Sequence, residues 1–581
     1  MNFQELEISS IVIDYFVTNQ KQFHSLENCN GLLEKQCGIK SFFENSNQLK
    51  HFISLIAEKI NLLEEPDRRE YGDFQTNFDL ALKSAEYIRT ISTDESFEFV
   101  LEPTCGKGNF IIAALAKFKG IKRIVGIEIY QPYVWETKFK ILEFFLNNGN
   151  ISIPRIEIFH ANVFDFDFEK LSGETKKQRT LVIGNPPWVT NSELGSIDSQ
   201  NLPQKSNFKK YSGIDAITGK GNFDIGETIS LLMMRHFSLH QGYFGFLVKN
   251  SVVKNLIYDQ KNNSFPISEL KKLTIDAKKE FNVSVDACFF VAKLNAQAEL
   301  ICADIDFYSL QEKRVFGWVK SNFVNSVIDY KQASDIDGKC QFVWRQGIKH
   351  DCSKVMEIEI HNGHYKNGLN QDVIIEDDLV YGLLKSSDLK NTQTNSYRKL
   401  TIVTQRKIGQ ETNYIKHDFP LTFEYLNKNG EYFDKRKSSI YRGKPRFSIF
   451  GVGDYSFMPF KVAVSGMYKS THFTLVTPDN GKPIMLDDTC YFIGFEDETT
   501  ARIVLYLLNH KHTQQFLRAI IFPDSKRSIT KDILMRIDFI KLYKLLNYSM
   551  VLEKLNISKK DWDDFGIKLE LKTGNKQMVL F

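Results

Sequence analysis

Between residues 67 and 330 the chain alternates short apolar runs with longer helical stretches, the texture of a doubly wound α/β sheet. Phe97-Glu98-Phe99-Val100-Leu101, Arg123-Ile124-Val125-Gly126-Ile127, Ile156-Glu157-Ile158-Phe159 and Thr180-Leu181-Val182-Ile183-Gly184 each read as a strand. Ile111-Ile112-Ala113-Ala114-Leu115 supplies the apolar face of a helix after the first of them. Each strand closes on a polar residue: Glu102, Glu128, Asn162 and Asn185 in turn. Independent surface turns are not expected to line up in this way, and open α/β sheets bind ligands at their carboxyl edge. Residues 1–66 read as helical, with apolar positions at helical spacing through Ile53-Ser54-Leu55-Ile56-Ala57-Glu58-Lys59-Ile60, and are expected to cap the larger domain. Asp224-Ile225-Gly226-Glu227 opens a further apolar helix that runs through Met234.

Two strand ends carry most of the chemistry. The fourth strand leaves the sheet as Asn185-Pro186-Pro187-Trp188. The prolines have fixed φ and no N–H, so the backbone exits rigidly extended. A carboxamide oxygen, a backbone carbonyl and an aromatic ring are then set side by side. The two oxygens can accept both hydrogens of one exocyclic amine, and the ring can stack on the base that carries it. The competing reading is a surface turn, since Asn-Pro and Pro-Pro are ordinary turn dipeptides. Upstream, Glu102-Pro103-Thr104-Cys105-Gly106-Lys107-Gly108 joins strand to helix. Gly106 and Gly108 permit positive φ and close approach of a ligand. The loop lacks the Gly-Lys-Ser/Thr ending of a phosphate loop and the three-glycine dinucleotide spacing. Glu128 falls roughly 20 residues beyond the glycines, where nucleotide-binding α/β folds place a carboxylate on ribose hydroxyls.

This order of motifs resembles the gamma-class amino-methyltransferases of DNA that serve restriction–modification systems and mostly make N6-methyladenine. The catalytic resemblance covers residues 70–310. It implies a Rossmann-like S-adenosylmethionine-dependent methyltransferase domain over residues 67–330, behind a helical cap at 1–66, and a C-terminal α+β target-recognition domain at 340–581. Tyr71-Gly72-Asp73-Phe74-Gln75-Thr76 matches the segment that closes over the methionine part of the cofactor, with Thr76 in contact. Glu102, Pro103, Cys105, Gly106 and Gly108 match the methionine-side loop, Glu128 the ribose carboxylate, and Ile129 the neighbour of the adenine ring. Asn162 stands where the family often has Asp, a neutral and weaker acceptor, and Asn185 borders both cofactor and target. Trp188 replaces the usual Tyr or Phe. After the strand Gly242-Tyr243-Phe244-Gly245-Phe246-Leu247-Val248 the family's frequent proline is replaced by Lys249 or Asn250. Val283 to Phe290 resembles the late strand that carries a second stacking ring, with Phe290 favoured over Phe289. With 47 Phe in the chain, the competing place for either ring is the core.

The implied mechanism sets Asn185, Pro186, Pro187 and Trp188 as the catalytic group. Asn185 Oδ1 and the Pro186 carbonyl hold the two amine hydrogens and localise the nitrogen lone pair. Transfer then needs positioning and electrostatics rather than a strong base. The base must leave the helix stack, and stacking on Trp188 and Phe290 would return about 1–3 kcal/mol per ring. Cytosine N4, RNA or a protein glutamine are the alternative targets for the same chemistry. The polar, glycine-rich segment 190–222 directly follows the motif and is too long for an ordinary connection. It is expected to close over the flipped base or DNA, with plain disorder as the competing reading.

Composition refines this picture. The 581 residues suggest roughly two to four domains, and 42% hydrophobic content supports sizeable cores. Net charge is only +4, yet residues 395–470 hold 14 Lys/Arg against 6 Asp/Glu. Such a surplus fits phosphate contact, although a charge run is usually a solvated face. DNA-contact candidates are Arg345, Lys349, Arg406, Lys407, Lys435, Arg436, Lys437, Arg442, Lys444 and Arg446. Val343 to His350 and Gln405 to Gln410 each couple basic and amide side chains to a glycine; Arg can read guanine and Gln adenine. The basic turn at 522–530 is expected either to touch phosphate or to pack. Eight scattered cysteines include no Cys-x-x-Cys pair, so no metal is expected. His350-Asp351-Cys352 resembles a nucleophile set only superficially. No basic-then-apolar leader and no run of ~18 apolar residues occurs. The expected protein is a cytoplasmic prokaryotic enzyme without membrane contact that acts as a monomer on double-stranded DNA. Whether a separate cognate restriction endonuclease exists is left open.

Overall fold

The computed structural model describes residues 8–57, 75–92, 96–149, 151–189, 224–468, 470–523 and 527–574. The 190–222 segment and Tyr71 to Phe74 lie outside the described residues. The chain divides into two compact units, residues 1–323 and 324–581.

The first unit is built on a mixed sheet. Its parallel strands are β1 (Phe99–Glu102), β2 (Arg123–Glu128), β3 (Arg155–His160), β4 (Thr180–Gly184) and β5 (Gly242–Lys249). Next come β6 (Ile267–Ile275), β7 (Ala287–Leu294), β8 (Ile301–Asp306), β9 (Glu312–Val319) and β10 (Asn322–Val324). Spatial order is β10-β9-β8-β6-β7-β5-β4-β1-β2-β3. β7 runs antiparallel between β5 and β6. The order reverses at β1, which pairs in parallel with both β2 and β4. That is the topological switch point where α/β sheets open a crevice. β1 and β4 are buried at every position, as strands covered on both faces require. The fold is the doubly wound α/β architecture expected from the alternation.

The helices flanking β1–β3 are α1 (Ser10–Thr18), α2 (Leu26–Cys37), α3 (Ser46–Ala57), α4 (Phe78–Ile91), α5 (Asn109–Lys117) and α6 (Gln131–Asn147). The first three share the core of the sheet. Phe16, Phe42 and Phe52 meet Phe139 of α6 at ring-centroid distances of 6.5, 5.5 and 5.0 Å. Lys138 is buried beside them and donates to the Phe42 carbonyl at 2.9 Å. The N-terminal helices are thus tied into the first unit by aromatic packing.

The second unit is α+β. One sheet has β14 (Asp372–Val373), β13 (His364–Asn367), β12 (Glu357–His361), β17 (Lys399–Ile402), β15 (Val380–Leu384) and β20 (Met485–Leu486) in that order. The other has β11 (Arg345–Gln346), β21 (Cys490–Phe495), β18 (Phe460–Ser465), β19 (Thr474–Val476) and β16 (Gln393–Thr394). Glu357 is buried with Lys385 at 2.7 Å, Lys399 at 3.2 Å and His350 at 3.7 Å. Burial lowers the His350 pKa to about 4 and pushes the Cys352 thiol up to about 11. His350 accepts from the Cys352 backbone N–H at 3.1 Å. These residues knit a core; they do not form a nucleophile.

Lys461 in β18 is fully buried and donates to the Met458 carbonyl at 2.7 Å. Burial lowers its pKa to about 7. The folded state therefore holds fewer protons than the unfolded chain between about pH 7 and 10.5, and stability rises with pH across that window. Lys461→Met removes this gain. In urea unfolding the wild type should gain on the variant by about 1.4 kcal/mol per pH unit at most. A constant difference between the two would show that the ammonium is not held in a dry site.

Candidate active site

The site forms where β1 and β4 end. Glu102, the last residue of β1, is buried, and its Oε2 has no hydrogen-bond partner among the described residues. Burial raises its pKa well above the usual carboxylate range; a bond from Ile111 N–H opposes this and the nearby Glu128 adds to it. A Cβ added at Gly184 would lie 3.3 Å from Glu102 Cγ, so the absence of a side chain there gives the carboxyl its space.

Beyond Glu102 the chain turns through Gly106 (φ 49°) and Gly108 (φ 77°), the latter capping α5. Added Cβ atoms would meet Gln75 at 2.8 Å and Thr137 at 2.8 Å respectively, so both conformation and space call for glycine. Glu128 braces this turn. Its Oε2 accepts from Gly106 N at 2.8 Å and its Oε1 from Tyr130 N at 2.7 Å. From the other side Gln75 Oε1 accepts from Lys107 N at 3.2 Å, and the Thr76 carbonyl accepts from Asn109 Nδ2 at 2.7 Å. Thr76 Oγ1 is buried without a partner among the described residues. Cys105 is buried and its thiol is raised by burial, so it packs and is no nucleophile.

A cavity of about 1010 Å³, counting its open mouth, runs from this loop to the end of β4. Its lining includes Thr76, Glu102, Pro103, Cys105, Gly106, Glu128, Ile129, Asn162 and the whole of Asn185-Pro186-Pro187-Trp188. The structure therefore brings into one space nearly all the residues expected at the cofactor and acceptor positions. Gly108 does not line it and acts through the turn. Asn162 Oδ1 already accepts from Phe164 N at 3.0 Å, which orients the amide and leaves one lone pair on that oxygen. Thr104, Tyr130, Tyr133 and Phe164 also line the cavity and went unpredicted.

The acceptor strand end is held from three directions. Thr104 Oγ1 donates to the Asn185 carbonyl at 3.5 Å. Trp188 Nε1 donates to the Leu247 carbonyl of β5 at 3.2 Å. Val189 O accepts from Ile225 N at 2.9 Å, where α7 (Phe168–Thr175) is followed along the chain by α8 (Ile225–Phe237). Asp224 caps α8 through Gly226 N at 2.9 Å and pairs with Lys249 Nζ at 2.9 Å. Lys249, at the end of β5, thus anchors the helix that abuts the motif.

Phe290 is not in the cavity lining. It is fully buried in β7, 6.0 Å edge-on from Phe244, and Phe289 is equally buried on the opposite face of a strand covered on both sides. Phe290 is thus not brought to the cavity expected to hold the base, and Phe281 lies edge-to-face with Trp188 at 4.8 Å. Phe281 ends the short helix α10 (Ala277–Phe281), which follows α9 (Asn250–Asn263) and is capped by Asp276 and stopped by Asn282 at φ 55°. The sequence signal was a lone aromatic closing a polar stretch, Ala277-Lys278-Lys279-Glu280, just before the strand.

The basic candidates of the second unit separate by their partners. Lys435 pairs with Glu431 at 2.7 Å and Arg446 with Asp434. Arg436 donates to the carbonyls of Ser448 and Arg446, each at 2.7 Å, and lies 3.7 Å over Tyr441. Arg436 ties backbone segments together, while Lys435 and Arg446 sit in exposed ion pairs. Lys349 lies 3.6 Å from Asp351. Arg345, Arg406, Lys407, Lys437, Arg442 and Lys444 are exposed and form no ion pair among the described residues. Gln405, expected as a base reader, is buried: it donates to the Gln410 carbonyl and accepts from Ile449 N at 2.9 Å. Arg536 near the chain end is ion-paired with Asp337, and Arg527 in the basic turn lies 3.5 Å from Asp488. The described residues contain no His/Cys/Asp/Glu cluster suited to a metal, and no described helix is long and apolar enough to cross a membrane.

Type II methyltransferase M.NspV of a Nostoc species is 39% identical over 488 residues, covering 83% of this chain and 99% of that protein. The chain belongs to the type II methyltransferase family. Type II methyltransferase M.BanIII of Aneurinibacillus aneurinilyticus is 23% identical over 226 residues, covering 37% of this chain and 36% of that protein. Among solved structures, the type IIL restriction-modification enzyme MmeI in complex with DNA is 12% identical with a TM-score of 0.49, covering 94% of this chain and 78% of that one. No protein-family profile matches the chain.

For this methyltransferase the hold on Trp188 is open to test. Trp188→Phe keeps a ring but loses the indole N–H and leaves the Leu247 carbonyl unsatisfied. Urea unfolding should show a loss of about 1–3 kcal/mol. Unchanged stability would show that the bond to β5 contributes nothing.

Proposed function

We propose that this type II methyltransferase moves a methyl group from S-adenosylmethionine to N6 of an adenine flipped out of double-stranded DNA, as the modification enzyme of a restriction–modification system. The observation that carries this reading is the pairing, within one cavity, of a buried carboxyl that lacks a partner on Oε2 with an extended Asn-Pro-Pro-Trp edge.

The residues present fit such a cofactor. Glu102 Oε2 offers an ammonium an acceptor that nothing among the described residues satisfies. Glu128 has its carboxylate fixed by two backbone N–H groups at the cavity wall, where it would accept from ribose hydroxyls. Ile129 and Tyr130 give an apolar flank for an adenine ring, and Asn162 offers its remaining amide valences at the end of β3. Bound S-adenosylmethionine supplies a methyl group already activated by the sulfonium.

The chain's own residues prepare the nucleophile. Adenine N6 is weakly nucleophilic because its lone pair is delocalised into the ring. Asn185 Oδ1 and the Pro186 carbonyl accept its two hydrogens and draw the nitrogen toward tetrahedral geometry. The lone pair then takes the methyl group, and the surplus proton leaves once the nitrogen carries positive charge. Positioning and fixed dipoles account for most of the effect. Trp188 offers the base a stacking face and Phe281 braces that ring. The amine is inaccessible within the base pair, which is why the target must be flipped. The second unit supplies target recognition through its unpaired basic residues, which would bind phosphates and base edges.

Asn185→Ala should abolish methyl transfer while cofactor binding, read by calorimetry, is kept; full activity in the variant contradicts the assignment. A second test uses Glu102. Its carboxyl titrates high in the free protein and must be ionised opposite an ammonium, so cofactor binding expels a proton. Affinity then rises with pH through the range to which burial has raised the group, and levels off above it. Calorimetry in two buffers of different ionisation enthalpy reads this directly. Proton uptake, or the same release in Glu102→Gln, contradicts the role.

A further inference from the structure

Arg345 and Arg406 lie 61 positions apart in sequence but are served by one short turn. The 3₁₀ turn Asp454–Phe457 presents Tyr455 and Phe457. The Arg345 guanidinium sits over the Tyr455 ring at 4.7 Å, and that of Arg406 over the Phe457 ring at 4.4 Å. Both side chains are exposed and neither has a carboxylate partner among the described residues. Other basic residues of the second unit differ. Lys435, Arg436 and Arg446 spend their charge on acidic side chains or carbonyls of the fold.

The backbone under both arginines is fixed. Arg345 belongs to β11, in antiparallel register with Phe492 of β21. The neighbouring Gln346 side chain is tied to the Asp488 carbonyl. Arg406 opens a loop closed at its base by Gln405, which donates to the Gln410 carbonyl, while Gln410 Oε1 accepts from Arg406 N at 2.8 Å. Lys407, Ile408 and Gly409 (φ 80°) stand exposed at its tip. The supporting turn is tight as well. A Cβ at Gly453 would lie 2.5 Å from the Tyr455 ring, and one at Gly494 2.9 Å from the Tyr455 carbonyl. The amides of this region set the backbone, and the arginines are what it displays.

A guanidinium whose face rests on a ring keeps its N–H edge for a partner and loses little entropy on binding one. A lysine's point charge is enough to hold a phosphate, with no such platform. A planar, pre-oriented fork suits the paired O6 and N7 acceptors of guanine in the major groove. Resting on the reading of this chain as a DNA methyltransferase, we propose that Arg345 and Arg406 are a guanine-reading pair, held at a fixed spacing by the turn that carries Tyr455 and Phe457. The target sequence of the enzyme then contains guanine at two read positions.

The test is methylation of genomic DNA by the full-length protein, followed by sequencing with modified-base detection, for wild type, Arg345→Lys and Arg406→Lys. Lysine keeps the charge and loses the fork. Each variant should relax the motif at one G·C position, with discrimination falling roughly 5- to 150-fold, and the salt dependence of nonspecific binding should not change. Tyr455→Leu and Phe457→Leu remove the platforms and should relax the same two positions to a smaller degree. Lysine variants that keep the wild-type motif overturn the proposal. So does a uniform loss of affinity for all sequences with a shallower salt slope, which is the signature of phosphate contact. A wild-type protein that leaves DNA unmodified overturns the underlying reading instead.

Discussion

The carboxylate of Glu128 is the constraint on which the site depends. Its two oxygens accept from Gly106 N and Tyr130 N, which belong to the turns after β1 and β2. With the Cys105 N–H bond to the Ile127 carbonyl at 2.8 Å, these bonds tie the two turns together at the sheet edge. Joined, they form a continuous wall, and the remaining features follow from it. Gly106 is held in a positive-φ conformation against Gln75, Gly108 in one against Thr137, and the Glu102 side chain packs close to Gly184. Backbone donors to an ionised carboxylate are among the stronger hydrogen bonds available. An acidic side chain here therefore braces the wall and can present its remaining lone pairs to hydroxyls.

The other side of the cavity is made by the rigid exit of β4. Two prolines fix the path, and three attachments hold it: the Thr104 hydroxyl, the Leu247 carbonyl and the start of α8. Where this chain departs from the pattern of similar methyltransferases, the structure supplies compensation. Tryptophan in place of a smaller ring gains a hydrogen bond to β5, which sets its plane. Lys249, one of the two residues where the pattern has proline, ends β5 in an ion pair with Asp224, the cap of the neighbouring helix. Both changes strengthen the frame around the acceptor edge and leave the edge itself intact.

Much of the catalytic unit was legible because its signals are local. Strand ends, glycine turns and the Asn-Pro-Pro run are consequences of neighbouring residues, so Glu102, Glu128, Asn162 and Asn185 meet in one cavity as their positions imply. What was not legible depends on contacts distant in sequence. Phe290 and Phe281 are both aromatic, and only tertiary packing decides that one fills the core while the other abuts Trp188. The same holds for charge. In the run Lys435-Arg436-Lys437, composition suggests a uniform basic patch. The structure gives Lys435 a glutamate, Arg436 a set of carbonyls, and Lys437 open solvent. In the Gln405–Gln410 stretch, where amide side chains suggested base reading, both ends of the Gln405 amide close a loop.

The central claim is that the edge formed by Asn185 and Pro186 holds the exocyclic amine of adenine. Nucleoside mass spectrometry of DNA incubated with the purified protein and S-adenosylmethionine carrying an isotopically labelled methyl group tests it most directly. The account predicts labelled N6-methyladenine as the product. Label in N4-methylcytosine, or in no nucleoside at all, would contradict it.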